Sequence, residues 1–536
     1  MWQLLQQVKH RSGLFATGCI AALIAGTFSA KVITMIRHGL EYESEITSEW
    51  FTKIIIYSLI AASVGVAASY FISRLNIIIV RDLTKKLVNK TLMTKFEYIE
   101  TVSDKVLPII TKDISDIANY VDRIPTFIIA CSAVLINLVE LFIIDTELTA
   151  YFFIIFALQI ILVMILIPLL KKYGRIAVQY RNYHFRNLGN MIKGLKELTL
   201  NKEKRDYYLS DVISQDLGEM NKAFLKGRVT NGTTQRINDL LIFLFVGMLM
   251  YSSMTFLDID FERFKIFLPT ILFIVPYFAK ISGFFQDFKG VEVAFEQINS
   301  ISEEIEQYSI TNQQAIEWND QNENLITLEN IKYQYLESRH DNQLFFGPLN
   351  LSLKKGNITF IIGGNGSGKT TFAKILTGLY EPREGKILYN GHPIDDQHLI
   401  DYRNKFSAYF ADSYTFEQLG YIDHKHLEKH SSSIIKLLEM ESKVKLDDKY
   451  NFSTTSLSFG QISRLSLITK ILEDKEIYLF DEWAANQDPY FKNIFYHEIL
   501  PLLKSHGKTI VVISHDEKYF DVADEIIELQ EGMKTE

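Results

Sequence analysis

Two cysteines in 536 residues, Cys19 and Cys131, are too few for a disulfide framework, and both lie inside apolar runs, where a free cysteine acts as a small apolar filler. No cluster of histidines, cysteines and acids has the spacing of a metal site. No basic cluster is interleaved with aromatics and the formal charge is −8, so nucleic acid is not an expected partner. A cleavable signal is not expected either. Lys9 and Arg11 precede the apolar run from Gly13 to Ala30, which ends on the small residues of Thr27-Phe-Ser-Ala30. That run is long for a signal core, and further apolar runs follow it.

The chain does have a sharp division. Residues 1–290 carry several long apolar runs, whereas 325–536 reads as an ordinary globular sequence. A bilayer core needs about 20 apolar residues in a helix. Six stretches qualify: 13–36, 54–76, 125–145, 148–170, 237–257 and 266–287. Short turns join the third to the fourth and the fifth to the sixth, and long connections fill 77–124 and 171–236. Residues 171–205 hold ten Lys or Arg and few acids, while the 38–50 loop holds Glu41, Glu43, Glu45 and Glu49 and no Lys or Arg. Positive loops stay in the cytoplasm, so both termini are expected there. The long connections read as helical extensions of the spans. The polar stretch 298–324 reads as a linker, giving a membrane domain over 1–297 and a second domain over 325–536.

The second domain carries Gly363, Gly364, Asn365, Gly366, Ser367, Gly368, Lys369 and Thr370, then Thr371, a complete P-loop pattern. A strand-like run, Ile358–Ile362, precedes it and a helix-like run follows, as the pattern requires. Glycines let backbone amides wrap a phosphate, Lys369 reaches the terminal phosphates, and Thr370 is placed to ligate Mg²⁺ of bound ATP. Further on, Ile477-Tyr-Leu-Phe-Asp481-Glu482 is an apolar strand ending in two acids. Asp481 is expected to hold the Mg²⁺ ion and Glu482 to act on the attacking water.

Between these motifs, Leu457-Ser458-Phe459-Gly460-Gln461 resembles the signature of ATP-binding-cassette (ABC) proteins, with Phe459 in place of a glycine. The resemblance implies that Ser458, Phe459, Gly460 and Gln461 meet the ATP held by a second copy of the chain, in a head-to-tail homodimer. It also implies a D-loop at Ala485-Asn-Gln-Asp488, a switch histidine at His515, and an adenine-stacking aromatic at Tyr335. One departure stands out. Ala411 stands at or next to the expected place of the Q-loop glutamine, with Asp412 or Ser413 as the substitute.

Six spans followed by one cassette resemble an exporter half-transporter. The expected fold is therefore a membrane α-helical bundle of the type I ABC exporter kind joined to an α/β P-loop NTPase. Gly194–Arg205, Asp481-Glu-Trp-Ala-Ala-Asn-Gln-Asp-Pro489 and the altered Q-loop are similar to the cyclic-peptide and siderophore exporter family, the syringomycin- and pyoverdine-type ABC transporters. That likeness implies ATP-driven export of a peptide-like compound across a bacterial cytoplasmic membrane. A first span beginning near residue 13 leaves no place for a leader-cutting peptidase domain ahead of it, which fits an already processed cargo. The alternatives are an exporter fold moving lipid or drug, or taking up a siderophore or vitamin, and a regulator or channel gated by ATP. Polar residues inside spans are candidates for the cargo path: Gln159, Asn137 and Lys280. Glu140 and Lys31 are expected near the outer surface, and Pro269 and Pro276 lie in the sixth span.

Overall fold

The computed structural model describes residues 11–42, 46–255, 261–310, 318, 322–335 and 345–535. The chain divides into two compact units. One takes residues Met1–Leu92 and Thr101–Gln307, the other Met93–Glu100 and Tyr308–Glu536.

The first unit is helical. Its elements are α1 (Ser12–Glu41), α2 (Ser48–Leu92), α3 (Phe96–Pro108, of which the part from Thr101 onward belongs here), α4 (Ile114–Val121), α5 (Ile124–Ile144), α6 (Thr146–Lys193), α7 (Ser214–Thr255) and α8 (Phe261–Gln307). Among the described residues, four stretches are long and apolar enough to cross a bilayer: Ser12–Glu41, Ser48–Leu92, Lys105–Ile144 and Ile266–Gln307. The expected span 148–170 falls within α6 and the expected span 237–257 within α7 as far as Thr255, its last two positions and many side chains lying outside the described residues.

Helix contact in an apolar solvent depends on close backbone approach. On α1 the residues Gly18, Ala22, Gly26 and Ala30 recur every fourth position and are buried. A Cβ on Gly26 would lie 1.7 Å from Ser132 Oγ and 2.7 Å from the Ile129 carbonyl oxygen of α5. Elsewhere α5 meets α8 through Val134, Leu141, Phe267, Ile271, Ile274 and Phe278. Glu140 does not simply reach for the surface: it accepts a 2.6 Å bond from Thr34 Oγ1 and pairs with Arg37 Nη1 at 3.3 Å. Lys31 keeps its amine 5.7 Å from the Phe28 ring.

One expectation needs correcting. The stretch 298–324 does not begin as a linker, because α8 continues to Gln307 with Ile298, Ile301 and Ile305 buried. Their spacing of three and four puts them on one helical face, a pattern masked by the acids between them.

The second unit holds two sheets. A four-stranded antiparallel sheet has the order β2-β1-β4-β5, from β1 (Asn324–Gln334), β2 (Phe345–Lys354), β4 (Glu384–Tyr389) and β5 (His392–Pro393). A six-stranded sheet has the order β10-β9-β3-β8-β7-β6, from β3 (Ile358–Ile362), β6 (Phe406–Tyr409), β7 (Ile477–Asp481), β8 (Thr509–Ile513), β9 (Glu525–Gln530) and β10 (Met533–Lys534). Strands β9, β3, β8, β7 and β6 run parallel, and only β10 is antiparallel. Strands covered on both faces read as unbroken apolar runs, and every residue of β7 and β8 is buried. The helices that serve the site are α9 (Lys369–Leu376), α10 (His424–Leu437), α11 (Phe459–Leu472) and α12 (Pro489–Ile494).

Met93–Glu100 folds with this unit, against the expectation that all of 1–297 belongs to the membrane domain. Thr94 bridges to Ser309. Lys95 pairs with Glu381 at 2.7 Å and Asp396 at 2.8 Å. Glu97 accepts from Tyr333 Oη at 2.8 Å and Arg383 Nη2 at 2.6 Å, and Glu100 from Lys374 Nζ at 3.1 Å and Tyr380 Oη at 2.8 Å. These ion pairs join residues far apart in sequence, so no local pattern announces them.

Gly26→Val will lower the thermal unfolding midpoint of the detergent-solubilised chain by several degrees, since overpacking a tight contact costs about 1–3 kcal/mol. Gly13→Val, with nothing among the described residues within 4 Å of its Cβ position, serves as the control and should leave the midpoint within about one degree. Equal shifts for both would remove the close-packing account.

Candidate functional site

The P-loop joins β3 to α9. Gly363, Gly366 and Gly368 adopt φ of 146°, 79° and 94°, a region that side chains with a Cβ rarely enter. Space also closes two of these positions: a Cβ on Gly363 would meet the Leu529 carbonyl oxygen at 2.3 Å, and one on Gly368 would meet Phe346 Cδ2 at 2.8 Å. Lys369 folds its amine back onto the loop, donating to the carbonyl oxygens of Gly363 and Gly364 at 2.8 and 2.9 Å. Burial pulls its pKa below the ordinary lysine range, with Glu482 and Asp481 acting the other way. The Ser367 hydroxyl is buried with no hydrogen-bond partner among the described residues. A loop of this kind, with a desolvated cation and an unmatched donor at a helix N-terminus, suits an anion of phosphate geometry.

Two further motifs arrive at the same carboxyl edge of the sheet. Asp481 ends β7 with 3% of its surface exposed. Burial raises its pKa to about 6, opposed by a hydrogen bond from Thr370 and reinforced by the charge of Glu482, with smaller effects from Lys369 (lowering) and Asp412 (raising). Glu482 takes φ 54°, the left-handed region, and its amide donates to the Ile513 carbonyl oxygen at 3.1 Å. A non-glycine residue held there is strained, and such strain collects at functional positions. At the end of β8, His515 sets its Nε2 3.4 Å from Glu482 Oε1. Lys369, Thr370, Asp481, Glu482 and His515 thus come together, although the first and the last lie 146 positions apart in the chain.

The remaining sequence candidates fall around this group. The Tyr335 hydroxyl hydrogen-bonds with Thr371 Oγ1, which puts its ring beside α9. Ser458 is the N-cap of α11, and its amide donates to Gln461 Oε1 at 3.1 Å. Gln461 therefore serves the helix start in this structure. Phe459 is 59% exposed. Asp488 caps α12, accepting from the amides of Tyr490 and Phe491 at 3.0 and 3.1 Å. In the altered Q-loop, Ser413 is engaged in a turn, its Oγ accepting from the Phe410 amide at 2.8 Å. Asp412 is exposed, and its charge acts weakly on Asp481.

Asn137, Lys280 and Gln159 belong to the helical unit. Asn137 on α5 is buried and donates to the Ala133 carbonyl oxygen at 2.7 Å, while its Oδ1 has no hydrogen-bond partner among the described residues. Lys280 is exposed, with its amine 5.0 Å from the Tyr277 ring. The Gln159 side chain lies outside the described residues.

Sequence reasoning missed two supports of the site. Trp483 is 1% exposed and its Nε1 donates to the Ser463 carbonyl oxygen at 2.8 Å. Gln487 Nε2 donates to the Gly460 carbonyl oxygen at 3.2 Å. Both tie the segment after Glu482 to the first turn of α11. A tryptophan directly after two acids, where the indole N–H needs a buried acceptor, was the available signal.

The raised pKa of Asp481 has a consequence for stability. Folded, the carboxyl holds its proton up to about pH 6; unfolded, it releases it near about 3.9. Its contribution to stability is therefore complete below about pH 4 and is lost as pH rises through 6. Asp481→Asn should raise the stability of the nucleotide-free chain at pH 7 by about 3 kcal/mol and flatten the decline between about pH 4 and 6. Denaturation midpoints across that range test it, and an unchanged pH profile would contradict the burial of the charge.

Residues 346–485 match the family model for the ABC transporter. The chain is 29% identical over 535 residues to the ATP-binding protein SyrD of Pseudomonas syringae pv. syringae, covering 96% of this chain and 92% of that protein. It is 31% identical over 215 residues to the intermembrane phospholipid transport system ATP-binding protein MlaF of Haemophilus influenzae, covering 38% of this chain and 79% of MlaF. In fold it resembles a bacterial Atm1-family ABC exporter with ATP bound, with a TM-score of 0.76 at 14% identity over 99% of this chain and 95% of that one. The chain belongs to the ABC transporter family, with the fold of an exporter half-transporter and a cassette that hydrolyses ATP to drive transport.

Proposed function

We propose that two copies of this chain form an exporter that uses ATP to move a peptide-like compound, a cyclic or modified peptide or a siderophore, out across a bacterial cytoplasmic membrane. Six spans per copy and cytoplasmic termini belong to this reading. The observation that carries the ATPase part is the meeting of Lys369, Asp481, Glu482 and His515 at one sheet edge. The likeness to SyrD supports the transporter part because it runs through both halves of the chain, whereas the likeness to MlaF covers 38% of it. The peptide-like cargo rests on the family resemblance of Gly194–Arg205 and Asp481–Pro489.

Each residue has a role in this reading. The P-loop amides, with Ser367 and Lys369, cradle the phosphates, and Lys369 exchanges its two loop carbonyls for phosphate oxygens. Tyr335 flanks the adenine. Glu482 accepts a proton from the attacking water or orients it, and His515 donates to the γ-phosphate. Thr370 and Asp481 form a hard oxygen pair that fits Mg²⁺, and the buried carboxylate lacks a full counter-charge. When bound, that ion would supply positive charge for the phosphate oxygens. Ser458 and Gly460 would meet the nucleotide of the other copy from the N-terminus of α11, with Phe459 exposed beside them. ATP then favours the closed cassette pair, and its hydrolysis releases it.

Glu482→Gln should bind ATP within about twofold of the parent while turnover falls by about 100-fold or more, since a lost general base typically costs 10²–10⁴. Robust hydrolysis by this variant in lipid would refute the assignment. For the direction of transport, inside-out vesicles should accumulate the cargo only when ATP is hydrolysed. Accumulation in right-side-out vesicles instead would turn the reading to uptake.

A further inference from the structure

His515 stands between two residues that are both held by a single helix. Ser514 Oγ and Tyr496 Oη lie 2.7 Å apart and are buried. On the other side, both carboxylate oxygens of Asp516 accept from Lys492 Nζ, at 2.8 and 2.9 Å. The Asp516 amide also donates to Ser514 Oγ at 3.0 Å, which closes the loop around the histidine. Lys492 lies on α12, and Tyr496 follows four residues later in the π turn Phe495–Ile499 that continues it. Residues four apart on a helix share a face. The Tyr496 ring is fixed in turn by stacking on Tyr519 at 4.3 Å between centroids. The helix itself starts at the Asp488 cap in the D-loop. The His515 imidazole, by contrast, is half exposed, and among the described residues its ion-pair partner is the carboxylate of Glu482 at 3.4 Å.

An imidazole held mainly through its backbone points where its two neighbours allow. Small errors of placement are costly, because a misplacement of about 1 Å from changes remote to the chemistry can slow a reaction about 100-fold. We propose that Lys492 and Tyr496 are positioning residues for His515: by gripping Asp516 and Ser514 from one helix face, they set the reach of the imidazole toward the γ-phosphate and tie it to the helix that leaves the D-loop. The inference rests on the reading of His515 as the γ-phosphate donor.

The test uses the full-length chain in lipid. Lys492→Met keeps the aliphatic stem and removes the charge, and Tyr496→Phe removes only the hydroxyl while leaving the ring to stack. Each should lower kcat by about 5- to 20-fold with KM for ATP within about twofold, the mark of an interaction made in the transition state. Lys492→Arg should restore most of kcat. In a His515→Ala background, Lys492→Met should have no further effect, because residues acting through one group are not additive. If His515→Ala slows turnover but Lys492→Met and Tyr496→Phe both keep kcat, or raise KM alone, the inference is overturned. Additive losses in the double variant, which a purely structural role would produce, overturn it as well. If His515→Ala itself retains full turnover, the reading of the site falls, and this inference falls with it.

Discussion

The burial of the parallel strands β3, β7 and β8, complete in β7 and β8 and in β3 as far as Ile361, is the constraint on which the cassette depends. A strand covered on both faces has no interior position where a charge can be solvated. Charged and polar groups are therefore driven to the strand ends, and in a parallel sheet those ends lie on one edge. Asp481 and Glu482 at the end of β7, His515 after β8 and the P-loop after β3 are consequences of that arrangement. The raised pKa of Asp481 records the same constraint at its limit, since the carboxyl sits just inside the boundary.

Two kinds of support surround this edge. The first is rigid. The positive φ of three P-loop glycines and of Glu482 holds backbone in forms that ordinary loops do not adopt, and the surrounding core over-determines them. The second is a set of side chains reaching from the segment between Glu482 and Tyr496. Trp483 and Gln487 bond to the start of α11, and Lys492 and Tyr496 to the two neighbours of His515. One stretch of chain thus contacts both the signature helix and the histidine loop. The helical unit solves a different problem, because apolar solvent offers little reward for burying leucine. Its contacts depend on close approach at Gly18, Ala22, Gly26 and Ala30, and on polar pairs such as Arg37 with Glu140.

The P-loop, the acid pair and the signature were legible because each is contiguous, and its chemistry requires particular residue types at fixed spacing. Apolar run length likewise pointed to helices in the first half. The end of α8 was misread because Glu303, Glu304 and Glu306 stand among Ile298, Ile301 and Ile305, and a charged exposed face resembles a polar linker when read in a single line. The place of Met93–Glu100 was not legible at all. Its partners Tyr333, Lys374, Tyr380, Glu381, Arg383 and Asp396 lie more than 200 residues away, and ion pairs across such distances leave no periodic trace. For the altered Q-loop, the sequence left Asp412 and Ser413 equal. In the structure a local turn engages the Ser413 hydroxyl as an acceptor, while Asp412 is exposed.

By itself, the sequence determined which chemical groups this protein possesses and which class of ligand they suit, because phosphate binding and carboxylate chemistry need specific residues in short, ordered strings. Only the tertiary structure decided how those strings meet: that Lys369, Asp481, Glu482 and His515 share one edge, that Glu482 lies within reach of His515, and that Lys492 and Tyr496 hold the loop bearing that histidine. The physical reason is that strand order and helix packing are set by burial summed over the whole core, and no segment of the chain carries that sum alone.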